Sequence, residues 1–101
     1  MPLAKLEAFE SEIVDLAAFA KALSHPARIE ILKLMAKSGE LPCMEIVRKL
    51  PLSQPASSRH INELQKVGLL SSRINASNVF FKLNKEALQH YCTELSKTLH
   101  P

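Results

Sequence analysis

Ser53-Gln54-Pro55-Ala56-Ser57-Ser58-Arg59-His60-Ile61-Asn62-Glu63-Leu64-Gln65-Lys66-Val67-Gly68-Leu69-Leu70 is the stretch that decides the fold. Ser53 is suited to cap a helix, and Pro55 fits a first turn, where the amide it lacks has no partner anyway. Ile61, Leu64 and Gly68 then recur at helical spacing and mark a buried side. At one helical step per residue, Ala56, Arg59, Glu63 and Lys66 point the other way, with Ser58 and His60 on the flanks. Arg, Ser, His, Gln and Asn are the side chains that hydrogen-bond base edges and phosphates. An ordinary solvated helix face carries similar residues. The context on both sides separates the two readings.

Upstream, Leu6 to Leu23 steps its apolar residues by three and four, a helix with a wide apolar stripe. A second helix opens at Ser24-His25-Pro26, with His25 as a cap, and stops at Ser38-Gly39. Pro42 opens a short third helix, Cys43 to Leu50, ended by Pro51. Downstream the period changes. Leu69 to Ile74 and Val79 to Leu83 read as two strands around Asn75-Ala76-Ser77-Asn78, a hairpin, and Asn84 caps a last helix through Leu99. The expectation is one domain over residues 1–101, mainly α with a small β-hairpin. Residues 42–67 form a helix-turn-helix, 69–83 a two-stranded wing, and 1–23 and 84–101 the outer helices. A generic helical bundle needs no hairpin there, so the combination points to a winged helix-turn-helix with its second helix in a major groove.

Bulk properties agree with that. The 101 residues suffice for one modest core. Lys plus Arg exceed Asp plus Glu by 13 to 10, and Glu7, Glu10, Glu12 and Asp15 concentrate acid in the first helix, so positive charge gathers further along. Cys43 and Cys92 are too few for a disulfide framework and fit a reducing compartment. With no signal-peptide pattern and no long apolar run, the expected location is the cytoplasm, with no membrane contact. No phosphate loop, nucleophile elbow or paired-carboxylate signature is present, so neither an enzyme nor a cofactor is expected.

At this point the residues resemble a known family. Ala22-Leu23-Ser24-His25-Pro26-Ala27-Arg28-Ile29-Glu30-Ile31-Leu32 is similar to the opening signature of ArsR/SmtB-type winged-helix repressors, ALSHPTRLRIL. Ser53-Gln54-Pro55, Ser58-Arg59-His60-Ile61 and Leu64 resemble that family's recognition helix, SQPxxSRHLxxL, and Val67-Gly68-Leu69-Leu70 resembles its helix-to-wing junction. The resemblance implies a homodimeric bacterial repressor that binds an imperfect inverted repeat and is released by an inducer. It also implies that the first and last helices pair across the dimer, which agrees with the wide apolar stripe of the first. Gln54, Ala56, Ser57, Ser58, Arg59 and His60 of the recognition helix, with Arg73, Asn75, Ser77 and Lys82 of the wing, are the expected DNA contacts. Arg28 and Lys66 are expected to anchor phosphates. The other outcome is a winged helix used for protein contact, or for DNA binding without an inducer; such a face usually carries apolar or aromatic anchors.

The departures concern sensing. Where the arsenic-responsive branch carries Glu-Leu-Cys-Val-Cys-Asp-Leu, this chain reads Glu40-Leu41-Pro42-Cys43-Met44-Glu45-Ile46. One thiolate makes no soft-metal site. On the last helix only His90 and Glu94 share a face at the zinc-responsive position, so no metal is expected there either. Ser57 stands at a core-side position where the family carries an aliphatic residue. Cys43 and Cys92 are read as small buried hydrophobes or as a thiol switch for oxidants or reactive sulfur, with Cys43 at a helix N-terminus where the dipole favours its thiolate.

Overall fold

The computed structural model describes residues 3–101, with side chains described from residue 6 onward; the first two residues of the expected 1–23 segment lie outside the described residues. After a 3-10 stretch over Leu3–Ala8, the order is α1 (Ser11–Ala22), α2 (Pro26–Ser38), β1 (Leu41–Pro42) and α3 (Cys43–Arg48). Then follow α4 (Gln54–Lys66), β2 (Leu70–Asn75), β3 (Asn78–Leu83) and α5 (Lys85–Leu99). The mainly helical winged architecture is the one expected. Two details differ. The first helix does not run unbroken from Leu6, because Glu10 is extended (φ −61°, ψ 145°) and α1 starts after it. Pro42 opens α3 from its N-cap position but is also extended (φ −66°, ψ 148°) and pairs with Phe80, so the wing is three-stranded in the order β1-β3-β2, all antiparallel. A proline at a sheet edge loses no ladder bond, which is why the strand tolerates it.

The caps read from the sequence are in place. His25 Nδ1 accepts the Ala27 amide at 3.0 Å, Ser53 Oγ the Ala56 amide at 3.3 Å, and Asn84 Oδ1 the Ala87 amide at 3.1 Å. Each satisfies one of the orphan donors at a helix start. At the end of α4, Gly68 takes φ 78°. Its amide bonds to the Gln65 carbonyl at 3.0 Å and the Leu69 amide to the Leu64 carbonyl at 3.1 Å, the paired closure of a Schellman motif. Leu64 and Leu69 are both fully buried beneath it. The motif turns the chain from α4 into the wing, and the Asn84 amide returns to the Leu69 carbonyl at 2.8 Å to pin the wing's far end.

One core joins these elements. Phe19 and Ala22 of α1, Ile31, Leu32 and Met35 of α2, Ile46 and Val47 of α3 and Ile61 and Leu64 of α4 pack with Leu70, Phe81 and Leu83 of the sheet. Phe19 stacks on Tyr91 of α5, ring centroids 4.8 Å apart and 16° between planes. That ring pair docks α5 on α1, yet α5 buries no residue completely. Phe9 is 58% exposed, Ile13 41% and Leu99 66%. The outer helices thus carry apolar surface that this chain leaves uncovered.

Candidate nucleic-acid interface

α4 turns Ser57, Ile61 and Leu64 into the core. The opposite side presents Arg59, Asn62 and Lys66, all exposed, and Gln54 is exposed at the N-terminal end. Arg59 and Gln54 make no side-chain hydrogen bond or ion pair among the described residues, so their donors face outward unspent. Asn62 was missed by the sequence reading although its helical angle places it beside Arg59; counting the positions around the buried side would have found it.

Both flanks of α4 are tied down by polar bridges. On one, Arg28 Nε donates to His60 Nδ1 at 3.1 Å. On the other, Gln65 Nε2 donates to Ser72 Oγ of β2 at 2.9 Å and links helix to wing. These bridges correct two expectations. Arg28 is not a free phosphate anchor, because Nη1 also reaches the Lys21 and Ala22 carbonyls at 3.3 and 3.5 Å. His60 is half-buried with Nδ1 already engaged, so only its Nε2 edge remains for an outside partner. Burial first, then the charges of His25, Arg28 and Arg59, hold its pKa below the ordinary imidazole value.

Ser57 is corrected more fully. It is 0% exposed and its Oγ has no hydrogen-bond partner, so its side chain belongs to the interior and offers no surface to an outside partner. Ala56 and Ser58 are half-buried beside it. Lys66, expected as a phosphate anchor, pairs with Glu63 at 2.8 Å, and that bond holds the Glu63 carboxyl below its usual range.

On the wing, Asn75, Ser77 and Asn78 are exposed around the turn, where Ala76 takes φ 57°. Lys82 is exposed and without an ion pair among the described residues. Arg73 differs from expectation: its Nε and Nη2 donate to both oxygens of Glu40 at 2.8 and 2.7 Å, and its guanidinium lies 4.7 Å over the Phe80 ring. The bidentate bond holds the Glu40 carboxyl below its ordinary range. Nothing in the sequence pairs Glu40 with Arg73; sheet pairing across β1 brings them together.

The two thiols are free. Cys43 is half-buried against the core, and burial pushes its thiol pKa up, opposite to the direction expected from the helix dipole. Cys92 is exposed on α5. Among the described residues no three His, Cys, Asp or Glu side chains converge so as to hold a metal ion. No helix among them is long and apolar enough to cross a membrane.

Residues 23–73 match a family model described as a helix-turn-helix domain. The arsenical resistance operon repressor of Staphylococcus xylosus is 34% identical over 75% of this chain and 72% of its own length. The chain belongs to the ArsR/SmtB-type winged helix-turn-helix regulators. The arsenic resistance transcriptional regulator ArsR1 of Pseudomonas putida is 36% identical over 68% of this chain, which spans 54% of that protein's length. An ArsR-like transcriptional regulator from Rhodococcus superposes with a TM-score of 0.75 at 26% identity, covering 85% of this chain and 80% of the other. As an ArsR-type regulator the chain is a DNA-binding transcriptional regulator, and the relatives that show this are regulators of transcription rather than enzymes.

Proposed function

We propose that this ArsR-type regulator acts as a homodimeric repressor in the cytoplasm, with α4 of each copy in a major groove of an inverted-repeat operator. The observation that carries the reading is the outward face of α4, where Arg59 and Gln54 stand unpaired between two anchored flanks. A rigid helix with uncommitted forked and amide donors is what base-edge recognition requires. Lys82, Asn75, Ser77 and Asn78 of the wing serve the adjacent phosphates or minor groove, and Arg73 braces the wing instead. The uncovered apolar surface of Phe9, Ile13 and Leu99 supports pairing of the outer helices in a second copy. An inducer acting through thiols meets Cys92 first, since Cys43 is shielded.

The test is selection of duplexes from a random library by the purified protein, followed by binding across a salt series. The expected result is an enriched repeat with two half-sites about one helical turn apart, bound with steep salt dependence. Arg59→Ala then costs about 1–3 kcal/mol and relaxes specificity at one position of each half-site. Selection that enriches nothing, or an Arg59→Ala variant of unchanged affinity, refutes the reading.

A further inference from the structure

Arg28 joins three helices. It rises from the first turn of α2, lays Nη1 on the carbonyls of Lys21 and Ala22 at the end of α1, and gives Nε–H to His60 of α4. A guanidinium there suits the negative end of α1, where the Lys21 carbonyl also accepts from the amide and Oγ of Ser24 at 3.1 and 2.6 Å. We propose that Arg28 is a positioning residue that fastens the recognition helix to the end of α1 through a neutral His60, so that acid releases α4 and weakens operator recognition. This rests on the reading of α4 as the helix that reads DNA.

The chemistry at His60 sets the direction. Arg28 is a donor only and always charged, so a 3.1 Å bond from its Nε needs a lone pair on His60 Nδ1. The neutral ring then carries its proton on Nε2, and the only place for a second proton is Nδ1 itself. Protonation replaces a donor–acceptor pair by two N–H groups and two cations facing each other. The surroundings offer little relief. From α2, the His25 ring lies 4.2 Å away by centroid, tilted 38°, with its own Nδ1 occupied by the cap of α2. Arg28 from α2 and Arg59 from α4 add positive charge, and Lys21 from α1 stands close enough to act on neighbouring Glu63. Among the described residues Glu63 is the carboxylate that favours the cation, and Lys66 holds it at 2.8 Å. In the folded protein the His60 pKa lies below the ordinary 6.5. The clamp is complete above the ordinary value and is lost as pH falls through the lower folded one.

This sign is the reverse of what a surface histidine gives. A histidine that merely touches phosphate gains affinity when protonated, because it adds positive charge. The full-length protein is therefore titrated against a library-selected duplex and a scrambled duplex, from about pH 8 to about pH 5.5 at constant ionic strength. The expected wild-type result is a fall in selected-over-scrambled affinity on acidification, beginning below the ordinary imidazole pKa. His60→Asn, whose amide oxygen can still accept from Arg28, loses the pH response whatever its affinity at neutral pH. Arg28→Ala binds the selected duplex weakly at both ends. In a parallel arm without DNA, NMR of the imidazole nitrogens follows His60, which should titrate at higher pH in Arg28→Ala than in wild type.

Wild-type selectivity that rises with acid, a His60→Asn profile parallel to wild type, or a His60 titration unmoved by Arg28→Ala overturns the proposal. Should Arg28→Ala fail to fold, the His60→Asn profile decides by itself. Should no duplex be selected, the DNA reading has failed, and wild-type ring titration still decides the clamp: a His60 that titrates at or above the ordinary imidazole value ends it.

Discussion

The hydroxyl of Ser57 sits among Ile61, Leu64 and the rest of the core with no hydrogen-bond partner. A buried polar group left unpaired carries its full desolvation cost. Ser57→Ala keeps the helix, improves its propensity and removes that cost, so stability should rise by about 1–3 kcal/mol. Urea denaturation checks it, and an unchanged or lower midpoint means the hydroxyl has a partner in solution. The thiols give a second prediction at this scale. Because burial raises Cys43 and Cys92 is exposed, a charged aromatic disulfide reagent near neutral pH should modify Cys92 first and Cys43 only slowly. Equal rates, followed by mass spectrometry of the peptides, would show that Cys43 opens readily.

At the scale of elements, the wing stands on the Glu40–Arg73 pair. Glu40→Gln removes the carboxylate that neutralises Arg73 and frees a cation beside Lys82. The slope of log affinity against log salt should then steepen by about 0.9, one phosphate contact. An identical slope in the two proteins would place Arg73 away from DNA altogether. The pH sign is fixed as well. The folded carboxyl lies below its ordinary 4.5, so the brace is intact above that value and is lost as pH falls through the lower folded one.

The helices, their caps and the turn at Gly68 were legible in the sequence, because period and capping chemistry are local. Asn84 and Ser53 needed only the residues three places on. The bridges that define the site were not legible. Arg28 and His60 are 32 residues apart and Glu40 and Arg73 are 33 apart, and only tertiary packing decides which basic side chains are already spent. β1 escaped notice for a related reason: two residues with a proline show no alternation, and their extended form depends on β3.

For the whole molecule, the uncovered apolar surface of the outer helices sets the prediction. Ile13→Glu places a carboxylate on that surface without touching the core, since Ile13 is 41% exposed. The fold should persist by circular dichroism while the sedimentation coefficient falls to that of a single chain. Affinity for a two-half-site duplex should drop toward that of one half-site. A variant that sediments and binds like wild type would show that the two copies meet elsewhere.

Pro42 closes one side of the sheet. Opposite its pairing with Phe80 it has no amide to offer an incoming strand, and β1 is only two residues long. On the other side, β2 is six residues long and carries the charged Arg73. A strand arriving on the β1 side therefore meets only two residues, one of them without an amide, and that edge is a poor template for extending the sheet.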